Sequence, residues 1–475
     1  MLADDTYLGY LAGMQKQEIE LATLDMAQSG IVVDGVYFYK NDNAAKDFMS
    51  TDLLARSFYK LVADHYPIMI GRPIINEHGK GVMAVDPSNP CLLDIADIEV
   101  EQPAEYFFTT RPNENKGDPE VEFFDLRKFY RQSGVPRLPQ ASIQRDNSLA
   151  IVRMLRFRNS PYMAFSFSIS HVIFDGISTI DFMNHWAEYA RNFAQVESGK
   201  YKLAEPPMLD RQIINKYFDN VEPLELPFIE HFKSIFPPLS MGTAGSIAPI
   251  LFASPDVEPL KDQHVLHFKA GALEQLRNDV DPQQTVTSAM TALLTKCITQ
   301  ANTKVYGSVP QAAHAMIAYD SRGRTDIPRR YAGNTSCTAI APLSPQMILE
   351  SSYKDLAATI KQHSSLVEGG HTKSAINVIE NNLGLLYQAS FALCNTDKSA
   401  YFGLSNVRYM PFHTIDFGYG VPRILSFDYF TKDGLARLLP NFQDGGVDLF
   451  LNYRDENFEV LCQLEDIAKY ADVIY

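Results

Sequence analysis

The clearest chemical signal in the sequence is the hexapeptide HVIFDG at positions 171–176, which follows a run of alternating residues. A histidine at the end of a strand can act as a general base, because the turn that follows leaves one ring nitrogen facing a cavity. Asp175 could orient the imidazole of His171, or it could turn away and fix the loop around Gly176. The spacing is compatible with both roles, so the residues alone do not choose between them.

A core position is the other interpretation of His171. The alternation places four apolar side chains on one face of a predicted strand at 162–170: Met163, Phe165, Phe167 and Ile169. Successive side chains of a strand point to opposite faces, so strict alternation puts His171 on this apolar face. A lone histidine on such a face is more often structural than catalytic, and the motif by itself favours the structural interpretation.

Two further segments carry side chains that could serve chemistry. In DFGYG at 416–420, Gly418 and Gly420 enclose an aromatic residue and permit a tight, left-handed turn. The segment DSRGR at 320–324 and the YAGN that follows at 331–334 indicate a solvated loop of mixed charge. No nucleophile elbow, phosphate-binding loop, dinucleotide fingerprint or H-E-x-x-H motif is present. In isolation, each segment is an ordinary turn or loop.

Strands and helices alternate around these segments. We predict a strand at 36–42, a helix that stops before Tyr66-Pro67, and a helix after Gly176 with Ser178 or Thr179 as its N-cap. In the second half we predict strands and helices at these positions: strand 264–269, helix 273–276, helix 287–300 and strand 447–453. His267 has no visible partner on its strand, and residues 369–371 indicate a loop.

The distribution of proline divides the chain. Nine prolines lie between residues 206 and 259, a density typical of an exposed connection between domains. We therefore predict an N-terminal domain at 1–200, a proline-rich crossover at 201–262 and a C-terminal domain at 263–475.

Composition limits the possible functions. The 475 residues include 42 Lys and Arg against 57 Asp and Glu, and the net charge of −15 argues against binding to nucleic acid or to anionic membranes. No apolar run is long enough to span a membrane, and the N-terminal residues do not resemble a signal peptide. Five dispersed cysteines without a C-x-x-C pair indicate a reducing compartment and no metal site. We expect a cytoplasmic protein.

The ordered segments together resemble the BAHD acyltransferase family, in particular its fungal branch of trichothecene 3-O-acetyltransferase-like enzymes. The two family signatures are H-x-x-x-D-G and D-F-G-W-G, which correspond here to HVIFDG at 171–176 and DFGYG at 416–420. Weaker matches in the family order extend the resemblance nearly end to end: LATLD at 21–25, VYFY at 36–39, the helix at 53–74, PPMLDR at 206–211, VTSAMTALLTKC at 286–297 and DSRGRTDIPRRYAGN at 320–334. The resemblance favours a catalytic His171.

This sequence departs from the family pattern at three positions. Tyr419 replaces the usual tryptophan of the second signature, and Val407 stands where plant members usually have a tryptophan of the acceptor pocket. Plant acceptor preferences are therefore not expected to transfer. Ser170 precedes His171, whereas the related peptide-synthetase condensation domains usually have a second histidine there.

The resemblance implies an α/β fold and an enzyme. We expect a monomer of two similar chloramphenicol-acetyltransferase-like domains, with mixed sheets and a channel along their interface. Acyl-CoA would be the co-substrate and a small-molecule hydroxyl or amine the acceptor, with no bound cofactor and no metal. His171 would be the general base of a reaction in a ternary complex.

The resemblance also implies roles for other residues. Asp175 would point away from the site and pair with Arg322, and the other structural positions would be Gly176, Asp416, Gly418 and Gly420. Weaker substrate-binding candidates are Tyr37, Ser405, Asn406 and Tyr419.

Two alternatives of other classes remain open. One is a condensation-type enzyme that uses a thioester on a carrier protein; the sequence has no carrier domain, so CoA is the expected donor. The other is a catalytically silent relative that binds a small molecule, against which an intact His171 argues.

Overall fold

Two large β-sheets, one built mainly from each half of the chain, form the framework of the computed structural model. The structure describes residues 5–28, 31–113, 117–137, 148–222, 224, 263–365, 369–382, 395–427 and 433–475. Both sheets mix parallel and antiparallel pairs, and helices pack against them, so the α/β class with mixed sheets is confirmed.

The first sheet has five strands in the order β14-β2-β9-β8-β5. Only the β5–β8 pair is parallel within it. Its outermost strand β14 comes from the C-terminal half of the sequence and pairs antiparallel with β2. The strands are β2 (Val32–Lys40), β5 (Asp94–Val100), β8 (Ala150–Phe157), β9 (Tyr162–Ser170) and β14 (Ile424–Ser426).

The second sheet has seven strands in the order β12-β11-β13-β15-β16-β10-β17. Strand β13 pairs parallel with both of its neighbours, and the other pairs are antiparallel. The strands are β10 (Gln263–Phe268), β11 (Ala312–Asp320), β12 (Ser336–Leu343), β13 (Ser399–Asn406), β15 (Leu435–Pro440), β16 (Val447–Asn452) and β17 (Asp472–Val473).

Two small antiparallel sheets and a set of helices complete the described fold. The small sheets are formed by β1 (Gln17–Glu20), β4 (Gly81–Val85) and β3 (Gly71–Ile75), and by β6 (Phe108–Arg111) and β7 (Val121–Phe124). The helices are α1 (Asp5–Leu11), α2 (Thr23–Ala27), α3 (Thr51–His65), α4 (Leu126–Gln132), α5 (Gly176–Arg191), α6 (Phe193–Glu197), α7 (Gln212–Phe218), α8 (Ala270–Val280), α9 (Val286–Tyr306), α10 (Pro345–Glu350), α11 (Tyr353–Ser365), α12 (Gly369–Asn382), α13 (Asp455–Cys462) and α14 (Glu465–Tyr470).

Strand β9 confirms the predicted alternation. Phe165 packs against Phe167 and against Trp186 of α5, and Trp186 in turn packs against Phe58 of α3 in the same core cluster. Ser166, on the opposite face, is buried as well. Every residue of β9 is buried, because side chains and further elements cover both faces of this central strand.

The ends of two helices test the predicted boundaries. Helix α3 ends at His65, one residue before Tyr66, as the following proline predicts. The predicted cap of α5 was wrong: the helix begins at Gly176, and the carboxylate of Asp175 accepts a hydrogen bond from the N–H of Ser178. Asp175 is therefore the N-cap, about one helical turn before Ser178 and Thr179, the residues predicted for that position.

The second half contains the predicted strands and helices, with longer helices than expected. The predicted loop at 369–371 was wrong, because these residues begin α12. Helix α7 lies in the predicted crossover, whereas residue 223 and residues 225–262 lie outside the described residues. The domain boundaries stay a prediction. Within the described part of the chain, no helix is both long enough and apolar enough to cross a membrane.

Candidate active site

His171 lies directly after β9, in the turn that leads into α5. Its backbone N–H donates to the carbonyl of Ile31, 2.9 Å away, which fixes the start of this turn. The side chain is half-buried and lines a cavity of about 200 Å³ between the two large sheets. The imidazole is therefore at a cavity wall, where a base must be to meet a substrate.

Asn334 sets the orientation and the tautomer of the His171 ring. Its Oδ1 lies 2.9 Å from His171 Nδ1, and its Nδ2 donates to Asp25 Oδ1 at 2.8 Å and to the carbonyl of His171 at 2.9 Å. Because the amide nitrogen is engaged by two acceptors, the oxygen must face the ring and accept from Nδ1–H. Nε2 is left with its lone pair, as a general base requires.

Asp25 holds Asn334 in place through hydrogen bonds to its side chain and its backbone. Its carboxylate is fully buried and also accepts from the backbone N–H groups of Asn334, at 3.1 Å, and Ala22, at 2.9 Å. Arg211 Nε lies 3.5 Å from Asp25 Oδ2, and Arg211 Nη2 donates to the carbonyl of Ile173 at 2.7 Å. Burial raises the pKa of Asp25, although Arg211 and the hydrogen bonds act in the opposite direction.

Asp25, Arg211 and Asn334 are site residues to which sequence reasoning gave no role. Each lies in a segment that resembles the family, respectively LATLD, PPMLDR and YAGN. The sequence feature that these three residues share is a polar side chain, of a type that is rarely buried, next to residues that are typical of a core. Weak motif matches that end on such residues could have been assigned to one buried network.

The electrostatic surroundings keep His171 neutral. Burial lowers the pKa of His171, and this effect outweighs the carboxylate of Asp175 and the hydrogen bond to Asn334, which both raise it. The free imidazole is the form that can accept a proton, so it predominates near neutral pH.

Asp175 turns away from the imidazole and pairs with Arg322. Arg322 Nη1 lies 2.8 Å from Asp175 Oδ2, Nη2 lies 3.2 Å from Oδ1, and only 2% and 1% of the two side chains are exposed. Burial acts to raise the pKa of Asp175, but the Arg322 guanidinium and the hydrogen bonds more than offset it and hold the pKa below its usual value. The spacing allowed Asp175 either to orient His171 or to fix the loop. The observed contacts show that its carboxylate fixes the loop.

The same guanidinium organises the loop that carries Asn334. Its Nη2 donates to the carbonyl of Gly333 and its Nε to the carbonyl of Tyr331, at 2.7 and 3.0 Å. Thr335 N donates to Asp175 Oδ2 at 2.9 Å from the other side of Asn334. The pair therefore positions the residue that orients the base, without itself contacting the imidazole.

Gly176 provides space beside the cavity. A Cβ atom at this position would lie 3.0 Å from Cε of Met410, which lines the cavity. The first residue of α5 can therefore approach the cavity wall closely because it has no side chain.

The second signature forms a fixed turn outside the cavity. Asp416 Oδ1 accepts hydrogen bonds from the backbone N–H groups of Gly418, Tyr419 and Gly420, at 2.7, 3.0 and 2.9 Å. Gly418 and Gly420 have φ of +100° and +94°, where other residues would be strained. The carboxylate is an anchor for these backbone N–H groups, and Phe417, which directly follows Asp416, packs against Trp186.

The four substrate-binding candidates lie in different places. Tyr37 and Ser405 line the cavity of His171. Asn406 lines only a larger neighbouring cavity, and its Nδ2 donates to Thr287 Oγ1 at 2.8 Å. Tyr419 lines neither cavity, because its hydroxyl donates to the carbonyl of Asp47 at 2.8 Å on the far side of the turn.

The neighbouring cavity has a volume of about 540 Å³. It shares a wall with the cavity of His171, formed by Ala318, Ser336, Ser405, Val407 and Met410. Both cavities are lined by residues from the two halves of the chain. The two cavities therefore adjoin between the sheets, and His171 lines the smaller of them.

Comparisons with known proteins show what the chain as a whole is similar to. A family model described as the transferase family matches residues 138–465. Putrescine hydroxycinnamoyltransferase 1 of Oryza sativa subsp. japonica is 20% identical to the chain over 478 aligned residues, which cover 97% of this chain and 95% of that protein.

Solved structures share the whole fold at low sequence identity. TRI101 of F. sporotrichioides, solved with coenzyme A and T-2, has a TM-score of 0.69 and 14% identity, and covers 97% of this chain and 100% of its own. Vinorine synthase has a TM-score of 0.65 and 16% identity, and covers 98% of this chain and 95% of its own. These likenesses confirm the two-domain α/β architecture.

Proposed function

The chain belongs to the transferase family of BAHD acyltransferases, and from this premise we propose that it transfers an acyl group from a CoA thioester to a small acceptor, with His171 as the general base. The observation that carries the proposal is the hydrogen bond from His171 Nδ1 to Asn334. It leaves an unprotonated Nε2 at the wall of a cavity between the two sheets.

The proposed reaction begins with a proton transfer to this nitrogen. His171 Nε2 removes the proton from a hydroxyl or amine of the acceptor as that atom attacks the thioester carbonyl. The tetrahedral intermediate then collapses, the carbon–sulfur bond breaks, and the imidazolium returns its proton to the departing thiolate. General acid–base catalysis of this type contributes roughly 10²–10⁴ in rate.

The rest of the rate enhancement must come from positioning and from hydrogen-bond donors to the oxyanion. The two adjoining cavities suit a ternary complex, because Ser405 and its neighbours form a shared wall between them. Ser405 is the candidate donor to the oxyanion. Asn406 is the weaker candidate of the two, since its amide nitrogen already donates to Thr287.

The experiment that tests the proposal is a measurement of CoA thiol release. The purified chain is incubated with a panel of acyl-CoA thioesters, with and without pools of alcohols and amines, and without any carrier protein. We expect acceptor-dependent thiol release and an acylated product detected by mass spectrometry. His171→Ala should abolish the acceptor-dependent part, whereas His78→Ala, at an exposed loop position, should not.

Each negative outcome has a defined meaning. Product formation only with a carrier-bound thioester would replace CoA as the donor. Saturable binding of acyl-CoA without turnover on any acceptor would contradict the enzymatic proposal and favour a silent relative. Full acceptor-dependent turnover by His171→Ala would contradict the assigned base.

A further inference from the structure

An ion pair crosses the cavity of His171. Arg437 of β15 and Asp34 of β2 both line this cavity, and Arg437 Nη1 lies 2.6 Å from Asp34 Oδ1. The two side chains are 12% and 3% exposed. The guanidinium also lies over the ring of Phe427, 4.3 Å from its centroid. The pair therefore joins the two sheets and presents opposite charges to the same small space.

These are the only residues with a formal charge at neutral pH among the described residues that line this cavity. Burial raises the pKa of Tyr37, and burial raises the pKa of Cys337 to about 12, so neither carries a charge. Burial lowers the pKa of His171, which is neutral as well. Among the described residues that line it, the cavity thus holds one positive and one negative charge, and these two charges are paired with each other.

We propose that the Asp34–Arg437 pair sets the charge specificity of this cavity and that the natural acceptor is an uncharged alcohol. The inference rests on the proposed function and deepens it, because it selects a hydroxyl over an aliphatic amine and excludes acceptors with a carboxylate. The reaction then forms an ester: the hydroxyl proton moves to His171 Nε2, the oxygen–acyl bond forms, the carbon–sulfur bond breaks, and the thiolate receives the proton.

The physical reason is the balance of buried charge. An acceptor carboxylate would compete with Asp34 for Arg437 and bring a second negative charge to the pair. An ammonium group would compete with Arg437 for Asp34 and bring a second positive charge to the pair. A buried, uncompensated charge is strongly unfavourable, whereas an uncharged hydroxyl or carbonyl can hydrogen-bond to either member of the pair without displacing its partner.

The alternative role for the pair is a purely structural contact between the sheets. A structural contact would affect all acceptors equally when it is removed. A specificity determinant would change the preference between acceptors of different charge, and would change it in opposite directions for the two residues. Single substitutions of Asp34 and Arg437 therefore distinguish the two roles.

The test uses three probes that share the benzyl alcohol scaffold. Benzyl alcohol, para-(hydroxymethyl)benzoate and para-(aminomethyl)benzyl alcohol present the same hydroxyl with no charge, a negative charge and a positive charge. Dissociation constants are measured by calorimetry, and kcat/KM is measured by thiol release from acetyl-CoA. For the wild type we expect both quantities to favour benzyl alcohol over each charged probe by at least about tenfold.

The substitutions should shift this preference in opposite directions. Asp34→Asn removes the carboxylate that competes for Arg437 and should improve the carboxylate probe relative to benzyl alcohol by about tenfold or more. Arg437→Gln removes the guanidinium that competes for Asp34 and should do the same for the ammonium probe. The double variant removes both charges of the pair and should again prefer benzyl alcohol.

The matched control is the Asp94–Arg153 pair, whose nitrogen and oxygen atoms lie 2.8 Å apart and which does not line this cavity. Asp94→Asn and Arg153→Gln should leave the ratios between probes unchanged. Wild-type protein that does not bind benzyl alcohol, or single variants at the Asp34–Arg437 pair with unchanged ratios, would overturn the inference. Shifted binding ratios without thiol release from any acyl-CoA would instead contradict the proposed function.

Discussion

Asn334 holds the imidazole of His171 through a hydrogen bond of 2.9 Å that joins residues from opposite halves of the chain. The amide nitrogen of Asn334 donates to Asp25 and to the carbonyl of His171. This orients the amide so that its oxygen faces Nδ1 and accepts the hydrogen bond. The tautomer of the proposed base is therefore set by a buried network of side chains. Substitutions in this network should change the activity.

Replacement of Asn334 should slow the reaction without removing the base. In Asn334→Ala the ring loses its Nδ1 acceptor, and we expect kcat to fall by roughly 10- to 100-fold, less than the full contribution of a general base. The lost hydrogen bond normally raises the pKa of His171, so the acidic limb of the kcat/KM–pH profile should move to lower pH. Asn278→Ala, on the exposed side of α8, is the control. An unmoved profile would argue for a structural role only.

Removal of the imidazole itself should abolish turnover and leave the fold intact. His171→Ala should lower kcat by roughly 10²-fold or more, because proton transfer to and from the reacting groups is lost. The melting temperature should stay close to that of the wild type, since the side chain is at a cavity wall. Steady-state kinetics and thermal unfolding are measured on the same preparation. Turnover near the wild-type level would remove the mechanism.

The Asp175–Arg322 pair should matter for stability. Asp175→Ala leaves a buried guanidinium without its main counter-charge and should cost roughly 3–5 kcal/mol of unfolding free energy. Glu101→Ala breaks an exposed pair with Arg158 and should cost about 0–1 kcal/mol. Chemical denaturation of both variants gives the comparison, and equal midpoints would show that the buried pair contributes no more than a surface pair.

The turn of the second signature should affect folding and activity together. Asp416→Asn weakens three hydrogen bonds from backbone N–H groups, because a neutral oxygen replaces a charged acceptor. We expect a lower melting temperature and a parallel loss of kcat/KM. Tyr419→Trp, at a half-buried position beside Phe48, should be tolerated. If Asp416→Asn abolished turnover at saturating acyl-CoA with unchanged stability, Asp416 would be a catalytic residue.

His267 should make the fold sensitive to alkaline pH. It lies between Asp448 and Asp444, at 2.7 and 2.9 Å. Burial acts to lower the pKa of His267, but the hydrogen bonds to the two carboxylates more than offset this and raise the pKa to about 9.

A pKa that is higher in the folded state than in the unfolded state stabilises the protein while the group is protonated in both states. The contribution of His267 should therefore be complete below about pH 6.5 and be lost as the pH rises through about 9. We expect the difference in melting temperature between wild type and His267→Gln to shrink over this interval. A constant difference would contradict the charged state of His267.

Local pattern made some of the fold predictable. The alternation of β9 and the helical spacing in α3 are short-range signals, and both elements are present where they were expected. The cap of α5 was missed because Asp175 was considered as a partner for His171 or Arg322 and as an anchor of the loop, but not as an N-cap, although aspartate is a strong N-cap residue. The three-residue strand β14 carries no periodic signal, so its place in the first sheet could not be predicted.

The polar contacts of the site were less predictable than its histidine. Asp25 and Asn334 are 309 residues apart, and Asp34 and Arg437 are 403 residues apart. Neither pair has a local signature, because the folded chain alone brings the partners together. His267 looked isolated for the same reason: its partner Asp444 lies 177 residues further along the chain.

Strand β14 has a consequence for how the protein is made. The apolar strand β2 is complete early in synthesis, but the residues that cover its edge, 424–426, follow about 380 residues later. At a translation rate of roughly 5–20 residues per second, that edge stays open on the ribosome for about 20–80 s. An uncovered apolar edge can pair with the strands of another chain, so the edge of β2 is open to mispairing until the C-terminal half emerges.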